Sequence, residues 1–482
     1  MIRVAAFVGS SILRVLGLAI LASGLVGILY SETSIATSLI ILSSIYTILG
    51  YLGAKYLRPD KQLTITQGFA AVGLSWLSLT LAGIVPYLIS LPEMSFTDAL
   101  FETASGFSTT GSSVIVNPSE LPKAIIFWRS ITQWVGGMGI IILTISVMPL
   151  LGSGGLNLAK AESPGPNPDR LTPLFKDTAV ILWGVYLVFT LAQTLLLFFS
   201  GLDIFSALNH SFTTLSTGGF STFDTSVSSL SNSTKLILCL FMFIAGTSFT
   251  LHYKSRRNLK EYLYSSEFKF FTFIVFFAAS IFYIFLNTSG KDSITSIIES
   301  LFTSLAIITT TGYSSSNFEL WPGGLKILII GLMFVGGMSG STGGGIKVVR
   351  VVALLKTVRN ELKKLIFPKA IFKVRMSKSA MTEQSLESVQ TFFILYITVF
   401  GIGSVLLGLT SYFGGISLSI ETILSSVASA LNNIGPALDQ AGPFDTYFFF
   451  DNYSKILLAF IMLVGRLELF PIAILFNAKT WK

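Results

Sequence analysis

The chain has 482 residues, of which 52% are hydrophobic and only 12% charged, with a mean hydropathy of +0.74. Soluble domains carry about 25% charge, so a water-facing surface of this length is excluded, as are disorder and nucleic-acid binding, which need dense charge. A net charge of +8, one cysteine (Cys239) and two histidines allow no internal disulfide, argue against a His/Cys metal site or Cys–His catalysis, and leave the placement of charge across a bilayer as the informative question.

A spanning helix needs about 20 apolar residues. Long apolar stretches occur near 11–29, 37–54, 66–91, 124–150, 177–200, 235–253, 268–287, 325–338, 390–412 and 454–476. The first exceeds the apolar core of a signal peptide and has no small-residue cleavage pattern after it, so it reads as a retained helix. Alternating sides then sorts the connectors. One set holds Lys55, Arg58 and Lys61; Lys160, Arg170 and Lys176; Lys254, Arg256, Arg257, Lys260 and Lys269; and a basic stretch from Lys347 to Lys378. The other holds Glu93, Asp98, Glu102 and Glu120; Asp203 and Asp224; Asp292, Glu299 and Glu319; and Glu421, Asp439, Asp445 and Asp451. Lysine and arginine mark the cytoplasmic side, which puts both termini there. Insertion alone accounts for the basic side, whereas an acidic outer face also concentrates cations.

Four connectors on the acidic side are too polar to span and too apolar to sit in water: DALFETASGFSTTGSS (98–113), DIFSALNHSFTTLSTGGFST (203–222), SITSIIESLFTSLAIITTTGYSS (293–315) and SIETILSSVASALNNIGPAL (419–438). Each ends in a glycine turn, and a second glycine follows in the next apolar stretch, from Gly111 to Gly136, Gly219 to Gly246, Gly312 to Gly337 and Gly435 to Gly465. The repeating unit is therefore helix, re-entrant helix, tight turn, helix, present four times. Irregular backbone at membrane depth survives only where protein buries it or it lines a water-filled cavity. Half-helices entering from outside aim their partially negative ends at the bilayer centre, and carbonyl rings that replace a hydration shell form cation filters. The fold class expected is an all-α polytopic membrane protein of four pseudo-symmetric repeats around a central pore, plus two N-terminal helices. The divisions fall at 1–62, 63–152, 170–256, 266–352, a basic connector 353–388, and 389–482.

The turns TTGSS, STGGF, TTTGYS and NNIGPA resemble the single-glycine filters of the TrkH/TrkG–KtrB–HKT potassium-transporter superfamily. QWVGGMGIIIL (133–143), AESPGP (161–166), AGTSFTLHY (245–253), GGMSGSTGGGIK (336–347) and GRLELFP (465–471) resemble its TrkH branch in order. The resemblance implies filter positions at Thr110 and Gly111, Thr217, Gly218 and Gly219, Thr311 and Gly312, and Asn433, Ile434 and Gly435. Of these, Thr110, Gly111, Thr217, Gly219, Thr311, Gly312, Asn433 and Gly435 would hold potassium. Gly219 is preferred to Gly218 because Phe220 follows it, as Tyr313 follows Gly312; Ser112 and Pro436 stand in the other two turns.

Two gates are expected. Six glycines between 336 and 345 would cost about 5–6 kcal/mol in a helix, so the segment reads as broken. Gly336, Gly337, Gly340, Ser341, Thr342, Gly343, Gly344 and Gly345 then form either a mobile intramembrane plug, as the resemblance implies, or a surface for close helix packing. Arg466 lies within a span, where an arginine is paired or functional. The resemblance makes it a pore barrier; a structural ion pair, with Glu468 as an imperfect local partner, is the alternative. His210 reads as a packing residue, His252 as interfacial, and Trp128 and Arg129 as interfacial anchors or filter braces.

The stretch 347–378 holds ten Lys or Arg and one acid, Glu361, suiting anionic lipids or an acidic soluble subunit. The resemblance implies a homodimer and a TrkA-like cytosolic RCK nucleotide-binding ring, so that nucleotide acts through that partner. No cofactor beyond the potassium ion is expected, and the chain reads as no enzyme. The function implied is gated potassium uptake across the cytoplasmic membrane, with rubidium or sodium as further ions. A proton- or sodium-coupled symporter, a less selective cation channel, and a non-transporting scaffold or enzyme are the competing readings.

Overall fold

The computed structural model describes residues 2–57, 65–139, 175–377 and 379–475. The motif 161–166, the end of 133–143, and Arg58, Lys61, Lys160, Arg170 and Lys378 lie outside them.

Helices Ile2–Leu29 and Thr33–Tyr56 form an antiparallel hairpin held by small residues, with the Ser43 hydroxyl donating to the Gly17 carbonyl at 2.7 Å. Its turn is tied to the first repeat. The Glu32 carboxylate accepts the backbone N–H groups of Lys123 (2.6 Å) and Ala124 (3.0 Å), capping helix Lys123–Gly137 where Pro122 supplies no capping side chain.

Helix, half-helix, turn and helix then recur four times. The first repeat runs Ile65–Gly83 and Val85–Ser90, pore helix Phe96–Phe107, and Lys123–Gly137. The second comprises Phe175–Phe199, pore helix Ile204–Leu215 and Asn232–Gly246. The third has Ser266–Thr288, pore helix Ser293–Ile308 and Gly323–Met333; the fourth has Glu383–Phe413, pore helix Ile420–Asn432 and Asn452–Arg466. The pore helices are 12, 12, 16 and 13 residues long, about 18–24 Å at 1.5 Å per residue, so they reach only part-way through a bilayer. Ser95, Asp203, Asp292 and Ser419 cap their N-termini on the acidic face.

Three apolar stretches that read as continuous spans are broken. Asn232–Gly246 turns by 97° into Phe249–Ser255. The third repeat stops being helical after Met333 and resumes at Val348–Ile366, and the fourth bends after Arg466 through Glu468 (φ +53°) and Leu469 (φ +69°) into Phe470–Leu475. Helix Val348–Ile366 crosses residue 353, so the basic connector begins inside a helix. One two-residue hairpin, Arg375–Met376 with Ser379–Ala380, is the sheet among the described residues.

Loops on the acidic face lace the ring shut. Ser119 donates from its N–H (3.0 Å) and hydroxyl (2.6 Å) to Asp224, joining repeats one and two. Val227 N–H reaches the Ser314 carbonyl at 3.3 Å, joining two and three, and Lys326 bridges Glu319 and Glu421, joining three and four. Lys455 pairs with Asp98 at 2.6 Å, joining four to one.

Candidate functional site: four turns around one axis

The four turns share one backbone pattern. Thr109, Thr217, Thr310 and Asn433 have φ of +56°, +55°, +61° and +55°; two residues later Gly111, Gly219, Gly312 and Gly435 have φ of +86°, +76°, +73° and +112°. Left-handed backbone disfavours side chains, so glycine stands where the turn reverses toward the acidic face. The close approaches run in a circle. A Cβ on Gly111 would lie 2.1 Å from the Gly218 carbonyl oxygen, one on Gly219 1.9 Å from that of Thr311, one on Gly312 1.7 Å from that of Ile434, and one on Gly435 2.8 Å from that of Thr110. Each glycine thus abuts the carbonyl preceding the next repeat's glycine, and the fourth meets the first.

This register refines the sequence alignment. Thr110, Gly218, Thr311 and Ile434 are equivalent, forming the carbonyl layer before the glycines; Thr217 and Asn433 belong with Thr109 and Thr310, one step deeper. Counting two residues back from each glycine gives the same set, so placing Thr110 and Thr311 beside Thr217 and Asn433 mixes two layers.

The second glycine of each repeat has a steric origin where it meets a pore helix. A Cβ on Gly136 would sit 1.9 Å from the Phe107 carbonyl oxygen, and one on Gly465 2.0 Å from that of Leu431. Only glycine lets the last turn of a pore helix seat on the following helix.

Behind the turns, the walls are braced by hydrogen bonds. Arg129 is buried at 2% exposure, which overturns its reading as an interfacial anchor. Its Nε donates to Glu102 (2.8 Å), its Nη2 to the Ser113 hydroxyl (3.1 Å), and its guanidinium stacks 4.2 Å above Phe220. Paired within the first repeat, the same guanidinium thus ties its turn to the second through Phe220. Tyr313 reaches the second pore helix at Thr213 and Thr214, while the Ser112 hydroxyl (2.8 Å) and Tyr447 OH (3.0 Å) donate to the Gly435 carbonyl. A readable signal existed: Glu102 and Arg129 are isolated charges inside apolar segments, which demand a partner. His210 is buried against Phe223, its Nδ1 2.8 Å from the Ser206 carbonyl, and His252 lies between Tyr262 and the Ile244 carbonyl.

Toward the basic face the turns meet residues 334–347. This segment is non-helical and closed on itself by Gly336 N–H to the Ile346 carbonyl (3.0 Å) and Val348 N–H to that of Gly337 (3.1 Å). It crosses beneath the ring. The Thr342 hydroxyl donates to the Leu215 carbonyl (2.8 Å), Gly344 N–H donates to the Thr310 hydroxyl oxygen (2.7 Å), and the buried Lys347 ammonium donates to the Gly343 carbonyl. Arg466 holds it from the fourth repeat, donating to the carbonyls of Thr342 (2.7 Å), Gly136 (2.8 Å) and Gly137 (3.2 Å). Glu468 turns instead to Arg350 at 2.6 Å, so the local Arg466–Glu468 pair does not form.

On the other side the four glycines floor a vestibule that Asp224, Asp445, Ser113 and Tyr447 help to line. Hydrogen bonds from Ser419 (2.5 Å) and Thr422 (2.7 Å) hold the Asp439 carboxyl below its usual range. Partial burial, then the charges of Glu319 and Asp439, push Asp445 up. Among the described residues no group of three or more His, Cys, Asp and Glu side chains is placed to hold a metal ion.

A helical membrane fold whose four pore helices converge on a closed ring of carbonyl oxygens defines a pore-loop cation transport protein. The sequence model of the TrkH family, described as a cation transport protein, matches residues 34–482. The chain belongs to that family. It is 35% identical to the Trk system potassium uptake protein TrkH of Vibrio parahaemolyticus over 98% of this chain and 99% of that one. It is 34% identical to the protein so named from Escherichia coli, over 88% of each. The crystal structure of the potassium transporter TrkH from Vibrio parahaemolyticus superimposes with a TM-score of 0.88 at 33% identity over the whole of both chains.

Proposed function

We propose that the chain carries potassium into the cell across the cytoplasmic membrane, through the ring of turns, with its basic face and both termini in the cytoplasm. The circle of close approaches from Gly111 to Gly218, Gly219 to Thr311, Gly312 to Ile434 and Gly435 to Thr110 carries this reading, since it brings four backbone carbonyls into one closed ring, with that of Gly218 also accepting from the Gln133 side chain at 2.7 Å. Potassium sheds its water against these oxygens. Pore-helix C-termini add partial negative charge, and the acidic vestibule gathers cations.

Residues 336–345 and Arg466 form the gate. The segment lies across the exit, and a guanidinium beneath the ring repels a cation. The coupled-carrier reading loses its main carboxylate, because Glu468 is engaged by Arg350. The basic surface of 347–378 receives an acidic cytosolic nucleotide-binding ring, through which nucleotide controls the gate of a homodimer.

Rubidium flux into proteoliposomes of the purified chain, driven by a rubidium gradient alone and competed by potassium, tests the reading. Saturable uptake without any proton or sodium gradient is the expected result. Dependence on such a gradient, or no uptake by verified inserted protein, overturns it.

A further inference from the structure

Thr109, Thr217, Thr310 and Asn433 share the deeper of the two positive-φ positions of the turns and are all fully buried, and each carries a side-chain oxygen. Asn433 is oriented without ambiguity. Its Nδ2 donates to the Met462 carbonyl (2.9 Å) and the Thr110 hydroxyl (3.0 Å), which only an NH2 can do. Its Oδ1 therefore faces the gate segment, 3.0 Å from where a Cβ on Gly344 would stand. That oxygen and Thr109 Oγ1 have no hydrogen-bond partner among the described residues. Buried acceptors without donors are unfavourable, and oxygens of this kind are ligands for hard cations. The Thr217 hydroxyl spends its proton on the Ser216 carbonyl at 2.6 Å, so its lone pairs face outward from that bond.

Gly344 enters this place. Its N–H lies 2.7 Å from Thr310 Oγ1, putting the positive end of a peptide dipole against the oxygens, and the absence of a side chain lets it fit beside Asn433. We propose that Thr310 and Asn433, with Thr109 and Thr217, form an alkali-cation site on the gate side of the ring, and that the closed gate occupies it with the Gly344 amide. Ion and closed segment then compete for one oxygen, so a permeant cation arriving at this site favours opening. The inference rests on the pore reading above and specifies how its gate and filter are coupled.

The test uses the full chain in bilayers without its cytosolic partner, reading open fraction against rubidium on the gate side. In the wild type the open fraction rises with rubidium. Thr310→Val removes the acceptor, raising the open-to-closed ratio at low rubidium about five-fold, the worth of one ordinary hydrogen bond, and flattening the rubidium dependence. Thr310→Ser restores both. Asn433→Asp, which keeps the left-handed turn and adds charge, moves the rubidium midpoint at least ten-fold lower. A Thr310→Val channel with wild-type rubidium dependence, or an unmoved midpoint in Asn433→Asp, overturns the proposal while leaving the pore intact. Failure of the wild type to conduct at all would instead remove the pore reading.

Discussion

Substituting each ring glycine by alanine separates close approach from backbone strain. All four have positive φ, so each alanine incurs a left-handed penalty of at least about 1–2 kcal/mol, largest at Gly435 with φ +112°, which lowers the amount of folded protein and is removed by normalising flux to inserted protein. The clash is unequal. At Gly312 the Ile434 oxygen must retreat by about 1.7 Å to reach ordinary contact at 3.4 Å, whereas at Gly435 the Thr110 oxygen must retreat by about 0.6 Å. A carbonyl displaced by more than 1 Å no longer coordinates an ion held by its three neighbours. Gly312→Ala, Gly219→Ala and Gly111→Ala should therefore lose rubidium flux at least ten-fold, or lose discrimination against sodium, with Gly312→Ala most severe. Gly435→Ala should be mildest. Rubidium and sodium uptake into proteoliposomes, normalised to inserted protein, reads this order. Equal losses at all four positions, or a Gly435→Ala worse than Gly312→Ala, would refute the argument from close approach.

Arg466→Ala removes charge-assisted bonds to Thr342 and Gly136; one such bond is worth roughly ten- to a hundred-fold in a two-state ratio, so basal flux without the cytosolic partner should rise by at least ten-fold. Arg466→Lys, a single point donor, should fall between wild type and alanine in the same assay. Shortening the segment between Gly336 and Gly345 should also raise flux; unchanged flux in inserted protein would remove its gating role. Glu102→Gln strands the buried Arg129 and should lower stability by about 3–5 kcal/mol, seen as an earlier thermal transition in detergent, with poorer potassium-over-sodium discrimination in survivors. Burial and neighbouring charge raise Asp445, so its negative charge is present well above that raised value and is lost, as pH falls, before an ordinary carboxylate would protonate. The KM for external potassium should rise over that acidic window, and Asp445→Asn should show the raised KM at neutral pH with a flatter profile.

The four-repeat plan was legible because it is written in coarse chemistry: apolar length, half-length semi-polar segments, and glycines where a turn needs positive φ or a helix end needs room, as at Gly136 and Gly465. Register inside the turns was legible too: aligned on their last glycines, STTG, STGG, TTTG and NNIG place Thr109, Thr217, Thr310 and Asn433 at one position, and the backbone angles agree, so taking Thr110 and Thr311 together with Thr217 and Asn433 mixed two layers. Charge was read by depth, which marked Arg466 as exceptional but left its partners open. Those partners are the carbonyls of Thr342, Gly136 and Gly137, which no pattern of side chains announces. Glu468 misled because it is adjacent in sequence; the left-handed turn at 468–469 swings it to Arg350. Arg129 lies close to the outer end of the apolar stretch 124–150 in sequence and so resembled an anchor, while it sits in mid-helix within Lys123–Gly137 and its true neighbour Glu102 lies in a different element 27 residues earlier.

Anomalous diffraction from crystals grown in rubidium asks the most direct question of the ring. One or more rubidium peaks on the axis between the carbonyl oxygens of Thr110, Gly218, Thr311 and Ile434 are predicted. Rubidium bound only away from that axis, in protein that still transports it, would contradict the account.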